Sequence, residues 1–560
     1  MSARYESYAD VFGLSDEDES DFEGFAVDEI GGNDSNDDSD VGESSSDDGD
    51  GVIGDDDESD TDSDTQADAQ EWSRDLHSFL ARSFSGPPPG PTTKLNETST
   101  VLDFFFLLFP LTLIQHLVQE TNRYAAQKRQ ANPNLPRWQP VSVEEMKCYL
   151  GIRLYLSIMP LPEMRWMWSS DDVFGHLRIA KFMSRKRFEG ISVNFHANDR
   201  TQHRPKEHPN HDKLHLVRPV LNEVLANCVQ QYNPHQNCSV DEAMIAFRGR
   251  LGFRQYIPSK PTKYGIKVWM RADPVNGYCN EFQVYVGKEK RRGRERGLSA
   301  RVVTEMTERL RGRHHVVNMD NFFTTVDLFE SLQQKGTLAR GTVRRNRRGL
   351  PHAELAEPRL KVQGEFNVLQ RGQLSAYAWQ DKHLVNLLSS ADDPTAQTTV
   401  DRKQRDGTKR VVPCPVALRE YNNFMRGVDR ADQLRTEYPT FRASRRWWVY
   451  VFWFLFDVAV ANAFILMNES EAHQRETRSG RPKPLTQLEF RKRLAKLLLS
   501  CHGDDSRDDQ NHGGHALGKG PSRRACQACK RERRRCETRT FCVRCEVVMC
   551  SKSFAAYHGW

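Results

Sequence analysis

Cys238-Ser-Val-Asp241-Glu-Ala-Met-Ile-Ala-Phe-Arg-Gly-Arg250 is the stretch that decides the fold of this chain. Ser239 to Phe247 alternates enough to read as a strand. Before it the pattern is helical. Thr100 to Phe109 is strongly apolar, and Pro110 suits a first helical position. Leu111, Ile114, Leu117 and Val118 then recur at helical spacing, and the helix runs through Tyr124. Val143 to Ile158 predicts a second helix, and further helices fill 171–232. After Arg250 the character changes. Phe253 to Pro258, Gly265 to Met270 and Phe282 to Val286 read as strands, the first two separated by a turn at Pro258 to Pro261. Val302 to Leu310 reads as a helix, His314 to Met319 as a strand and Val326 to Gln334 as a helix. This order predicts a mixed α/β core with its antiparallel strands first.

Asp241 has two counterparts further on. One lies in Val316-Val-Asn-Met-Asp320-Asn-Phe-Phe-Thr-Thr325, the other in Met425-Arg-Gly-Val-Asp429-Arg-Ala-Asp432-Gln433. Taken singly, an aspartate after an apolar run is usually a turn or cap residue. Converging from strand ends and a helix, such carboxylates can hold two magnesium ions about 3.5–4 Å apart, which can cut and rejoin DNA. Asp429 and Asp432 stand at i and i+3, on one side of a helix of 422–435. They read as well as surface residues flanking Arg430 in local ion pairs, and chemistry alone leans to that second reading.

Charge points to a polyanionic partner. Residues 1–70 hold 26 Asp and Glu against one basic residue, Arg4, for a charge of −25. The rest of the chain carries 79 basic and 50 acidic residues, for +29. The acidic part is too poor in apolar residues to fold and reads as a disordered tail. Runs such as Ser45 to Asp50 invite acidophilic kinases. The tail reads either as a solubiliser or as a DNA mimic that competes for the basic surface. Basic runs occur at Lys288 to Arg296, Arg340 to Arg348, Arg442 to Arg446 and Lys530 to Arg535. They fit DNA binding and nuclear import, so the nucleus is the expected location.

Other classes are disfavoured. The acidic amino terminus lacks the apolar segment of a secretory signal, so the sequons at Asn96 and Asn468 mean little. Trp447 to Met467 is long and apolar enough to span a bilayer, but carries Asp457 at its middle and Asn462 beyond. A central Asp costs roughly 2.5–3.5 kcal/mol on insertion scales. A buried core helix is expected, with no membrane partner.

Half of the 12 cysteines fall within Cys526 to Cys550. Cys526-x2-Cys529 and Cys542-x2-Cys545 read as zinc knuckles, with Cys550 and His558 continuing the pattern. One Zn2+ is expected. A two-zinc cross-brace needs eight ligands, and six are in place. Cys536, His512 and His515 are spare candidates. Arg531 to Arg535 between the knuckles suggests that the module binds DNA.

From Val101 onward the chain resembles the piggyBac family of DDE transposases. The resemblance rests on Glu120-Thr-Asn-Arg-Tyr124, Ser239-Val-Asp-Glu242, Phe247-Arg-Gly-Arg250, Tyr256-Ile-Pro-Ser-Lys-Pro261, Lys263-Tyr-Gly-Ile-Lys267, Met319-Asp-Asn-Phe-Phe-Thr-Thr325 and Gly427-Val-Asp-Arg-Ala-Asp-Gln433. It covers roughly 460 residues in order. It implies a multidomain α/β protein with an RNase H-like catalytic core interrupted by an insertion. Helical dimerisation and DNA-binding domains flank that core, with a disordered acidic N-terminus and a C-terminal cysteine-rich zinc module.

The expected division is tail and Pro-rich linker 1–95, helical domain 96–236, catalytic core 237–340, insertion 341–413 and last catalytic helix 414–435. A second helical region 436–500, a linker 501–522 and the cysteine module 523–560 follow. The resemblance further implies a homodimer that excises and integrates double-stranded DNA at TTAA sites through hairpin-ended intermediates. Asp241, Asp320 and Asp429 become the catalytic, magnesium-binding triad, with Asp432 as the family's fourth carboxylate. Arg248, Arg250, Arg254, Lys260, Lys263 and Lys267 then suit phosphate clamps. Tyr264 and Trp269 read as base-stacking or core residues. Relatives often carry a Cys just before a Phe near the C-terminus, where this chain has Ser553 before Phe554. The alternative reading is a domesticated protein that binds DNA without cutting it.

Overall fold

The computed structural model describes residues 71–79, 82–161, 163–169, 179–258, 260, 262–287, 297–403, 407–473, 475–476, 482–500, 517–531, 534–542 and 547–557. The acidic tail, the basic run 288–296, most of the linker after Ser500, Cys545 and His558 lie outside these residues. The chain divides into two units. The first comprises Met1–Thr93, Cys228–Thr436 and Arg442–Val458, and the second Lys94–Asn227, Glu437–Phe441 and Ala459–Trp560.

A nine-stranded mixed sheet organises the first unit. Its strands are β1 (Asn237–Ala246), β2 (Gln255–Tyr256), β3 (Tyr264–Ala272), β4 (Cys279–Val284), β5 (Val316–Met319), β6 (Leu338–Thr342), β7 (Phe366–Arg371), β8 (Leu374–Gln380) and β9 (Leu384–Ser389). The order is β2-β3-β1-β5-β6-β9-β8-β7, with β4 also on β3. β1 is antiparallel to β3 but parallel to β5, and β5 is parallel to β6. β9 returns antiparallel to β6, so strands from the segment expected as an insertion continue the core sheet.

Alternation is weak in β5 because all four of its residues are buried, as central parallel strands require. Helices Leu298–Thr307 and Val326–Gln334 contribute Val302, Met306, Leu328 and Phe329 to a core shared with Trp269, Val317, Met319 and Ala376. Beyond the sheet, β10 (Gln397–Lys403) and β11 (Lys409–Pro415) form a hairpin. Val412 and Cys414 from it, with Leu418 and Tyr421 from helix Val416–Phe424, pack on Val368, Tyr377 and Leu387.

Three sequence expectations shift for local reasons. The strand expected from Phe253 shrinks to Gln255–Tyr256, because Arg254 folds back to donate to the carbonyls of Arg248 and Gly249 at 2.9 and 3.0 Å. The helix expected over 422–435 is two helices, Val416–Phe424 and Gly427–Thr436. Pro110 caps helix Leu111–Ala131 rather than starting it, and that helix turns 66° from Val101–Leu108.

A buried ion pair ties the middle of the sheet. Arg340 on β6 grips Asp392 in a fork at 2.6 and 2.8 Å and donates to Asn237 Oδ1 of β1 at 2.9 Å. Removing one partner of such a pair strands the other charge and costs about 3–5 kcal/mol. Asp392→Ala is therefore expected to lower the chemical-denaturation stability of the first unit by that amount. An unchanged midpoint would show that the pair is dispensable.

In the second unit, Ser142 and Glu145 form a capping box for helix Val143–Ile158. Gly151 on that helix lies so close to Leu498 that an added Cβ would sit 2.9 Å from its Cβ. The small residue lets helix Gln487–Ser500 pack tightly against it. Helix Trp447–Glu469 runs from the first unit into the second. Among the described residues it alone is long and apolar enough to cross a membrane, yet 89% of its most apolar window is buried inside the protein. Asp457 and Asn462 are buried with it.

Candidate active site

The parallel pairing of β1 with β5 sets the position of two carboxylates. Val240 pairs with Met319 at the last register step. Asp241 is the next residue on β1 and Asp320 the residue just after β5, so they stand side by side at the carboxyl end of β5. Adjacent strands lie about 4.8 Å apart. The carboxyl ends of parallel strands are where open α/β sheets bind ligands. Asp241 Oδ1 accepts from the backbone N–H of Glu242 at 2.7 Å, and Asp320 Oδ1 from that of Phe322 at 3.0 Å. The Thr324 hydroxyl donates to the Asp320 carbonyl at 2.8 Å and fixes the turn.

The third carboxylate arrives on a helix locked to β1. Ser239 and Asp241, two residues apart on a strand, share a face. Ser239 Oγ accepts the Val428 N–H at 3.1 Å. A Cβ at Gly427 would lie 2.3 Å from Ser239 Oγ and 3.0 Å from both the Ala272 oxygen and the Pro274 nitrogen. Only glycine permits this approach, which brings Asp429 to the face that carries Asp241. Asp432 lies further along and pairs with Arg435 at 2.9 Å. Arg435 in turn lies over the Phe454 ring at 4.7 Å.

Burial and neighbouring acids shift the carboxyls at the strand ends. Burial, with Glu242 and Asp320 adding to it, pushes the Asp241 carboxyl up to about 7 against the pull of Lys260. Burial, then Glu242, also raises Asp320, while the Phe322 and Phe323 N–H groups and Lys260 oppose. Lys260 lies 3.5 Å from Glu242. Burial works against its charge, yet Asp241, Glu242, Asp429 and Asp320 together hold its pKa above the ordinary value. Lys267 also reaches Glu242 at 3.5 Å and lies 3.8 Å over the Trp269 ring.

Hard carboxylate oxygens of this kind, whose ionisation burial opposes, suit magnesium. They are not drawn into a closed cage: among the described residues, the metal-type cluster with all ligand atoms within 4.8 Å is Cys526, Cys529 and Cys550.

The raised carboxylates make a prediction for the metal-free protein. Between the ordinary Asp value of 3.8 and about 7, the folded chain keeps a proton on Asp241 that the unfolded chain has released. Stability therefore falls as pH rises through that window. Asp241→Asn is expected to flatten the fall in melting temperature, and Mg2+ to raise the wild-type melting temperature most above pH 7. Parallel pH profiles for the two proteins would contradict the shift.

The six expected phosphate clamps separate into two groups. Lys260 and Lys267 belong with the carboxylates. Arg248, Arg250, Arg254 and Lys263 are exposed around the turns joining β1, β2 and β3. Tyr256 and Tyr264 beside them are 50% and 44% exposed, with ring centroids 4.6 Å apart, and Arg254 lies 5.5 Å over Tyr264. Trp269 is buried core. Sequence reasoning missed Glu242, Ser239 and Gly427 as site-builders. Their neighbours in the motifs were the only signal.

Near the C-terminus, Cys526, Cys529 and Cys550 come together on segments around helix Gln527–Arg531 and the start of helix Ser551–Tyr557. Cys542 ends the strand Glu537–Cys542.

The family model described as Transposase IS4 matches residues 100–464. PiggyBac transposable element-derived protein 3 of Homo sapiens is 27% identical over 502 residues, 86% of this chain and 79% of that one. PiggyBac transposable element-derived protein 5 of Homo sapiens is 26% identical over 440 residues, 74% of this chain and 79% of that one. The fold is similar to that in the cryo-EM structure of a piggyBac transposase synaptic complex with hairpin DNA. There the TM-score is 0.64 at 24% identity, over 83% of this chain and 98% of that one.

Proposed function

We propose that this chain, which belongs to the piggyBac type of the Transposase IS4 family, cuts and rejoins DNA at a site built by Asp241, Asp320 and Asp429. The observation that carries this reading is the side-by-side placement of Asp241 and Asp320, with the helix of Asp429 locked to the same strand through Gly427 and Ser239. These three carboxylates would hold two magnesium ions, and such a pair would supply activation of an attacking oxygen and stabilisation of a leaving one. The chain's own residues do the rest. Burial raises the pKa values of Asp241 and Asp320, and bound cations would favour their charged forms. Lys260 offsets their charge and stays protonated among them. Ser239 fixes the spacing of the Asp429 helix from the sheet.

The mixed sheet, with β3 antiparallel to β1 and with β5 and β6 parallel to it, fits an RNase H-like core. Exposed Arg248, Arg250, Arg254 and Lys263 suit phosphates, and the exposed Tyr256 and Tyr264 suit an unpaired base. The target we infer is TTAA, with the protein acting as a nuclear homodimer. Asp432 in this reading tunes the helix through Arg435. Cys526, Cys529 and Cys550 suit a Zn2+ ion.

The test is excision of a TTAA-flanked donor carrying any inverted repeats found to border the coding sequence. Magnesium-dependent excision is expected from the wild-type protein. The names of the human relatives as element-derived proteins favour a second reading, a DNA-binding protein that does not cut. Tight DNA binding with no magnesium-dependent nick at those ends would establish that one instead.

A further inference from the structure

The cysteine cluster has three thiols within 4.8 Å of one another and a hydroxyl where a fourth ligand could stand. Ser553 Oγ lies 3.2 Å from Cys529 Sγ and 3.1 Å from Cys550 Sγ. A neutral alcohol is not among the usual zinc ligands, which are thiolates, imidazoles and carboxylates. The cluster therefore needs another donor, and one lies against it. Cys536 packs on the group formed by Cys526, Cys529 and Met549. Its carbonyl accepts the Cys526 N–H at 2.8 Å, which ties its backbone to the first ligand.

We propose that this chain holds zinc between Cys526, Cys529, Cys536 and Cys550, with Cys536 as the fourth thiolate. The inference rests on the zinc reading above and deepens it. Three features of the cluster fit a tetrahedral four-thiolate site. First, Zn–S bonds of about 2.3 Å place tetrahedral sulfurs about 3.8 Å apart. Cys529 Sγ and Cys550 Sγ are 3.8 Å apart, and all four cysteines are free thiols. Second, the N–H groups of Cys529 and Cys550 donate to Cys526 Sγ at 3.5 and 3.2 Å. Such donors stabilise a sulfur that carries charge. Third, the segment between Cys529 and Cys536 is Lys-Arg-Glu-Arg-Arg-Arg, whose charge offsets the net −2 of a four-thiolate zinc site. Cys536 stands seven positions after Cys529 and ahead of the second Cys-x2-Cys, a spacing that made it only a spare candidate beside the paired knuckles.

The test uses full-length protein and reads metal, not activity. Zinc content and resistance to a chelator are measured for wild type, Cys526→Ser, Cys536→Ser, Ser553→Ala and the double variant Cys536→Ser with Ser553→Cys. Cobalt-substituted samples report the number of thiolates through the intensity of sulfur-to-metal charge transfer. Cys536→Ser is expected to release zinc to the chelator at least tenfold faster and to lose about a quarter of the charge-transfer intensity of this site. Ser553→Ala is expected to match wild type. The double variant is expected to recover both readouts, because residue 553 already touches two of the ligands, and recovery separates ligand loss from misfolding. Wild-type zinc retention and charge transfer in Cys536→Ser would overturn the assignment of Cys536. Wild-type retention in Cys526→Ser would instead overturn the zinc reading itself.

Discussion

Asp320→Ala is expected to lower DNA cleavage and strand transfer by at least about a thousandfold while leaving DNA affinity nearly unchanged. A divalent ion supplies several kcal/mol of transition-state charge stabilisation, and each 1.36 kcal/mol is a tenfold change in rate. Asp320 stands one step beyond the last pair of β1 and β5, beside Asp241, so its loss opens one side of the site. The exposed Arg248, Arg250, Arg254 and Lys263 are untouched by the change, which is why binding should persist. Misfolding can be told apart from loss of metal. The Asp320 carboxyl is raised by burial, so in metal-free buffer at neutral pH its removal should not lower the melting temperature. What should vanish is the rise in melting temperature on adding Mg2+. Cleavage within tenfold of wild type would show that Asp320 is not part of the site.

Gly427→Val should cost about a hundredfold in the same cleavage assay without touching any carboxylate. The new Cβ would meet Ser239 Oγ at 2.3 Å and two backbone atoms at 3.0 Å, none of which belongs to a flexible side chain's far end. The helix must lift off β1, and the Val428 N–H bond to Ser239 must lengthen or break. Forcing atoms into a packed site costs about 1–3 kcal/mol of stability. A displacement of about 1 Å at a reacting centre can cost about a hundredfold in rate. Gly252→Val, where an added Cβ meets nothing within 4 Å, serves as the matched control. Equal activities for the two variants would mean that the tight approach at Gly427 does not position Asp429.

The three aspartates could be singled out in the sequence because each sits inside a distinctive local motif, and the family resemblance is what grouped them. Asp241 ends the apolar half of a strand, Asp320 follows one, and Asp429 opens a helix. The long apolar helix from Trp447 was legible as well, since Asp457 at its centre argued for burial in protein. Strand order was not. Nothing local in Leu384–Ser389 says that it pairs with Leu338–Thr342, because pairing is a non-local event. Lys260 read as a phosphate clamp because sequence shows its charge and not its neighbours; Glu242 and three aspartates surround it. Gly427 passed without remark because a glycine beside a helix start has many uses, and only the 2.3 Å approach to Ser239 shows which one applies. Cys536 lay outside the paired Cys-x2-Cys pattern that drew attention to its neighbours.

The central claim is that Asp241, Asp320 and Asp429 form one site for divalent ions. Anomalous scattering from a crystal grown with Mn2+ tests it most directly. The account predicts density for manganese against the carboxylates of Asp241 and Asp320, with Asp429 on the same ions, and none there in Asp241→Asn. Manganese bound elsewhere on the chain, with these three carboxylates left without metal, would contradict it.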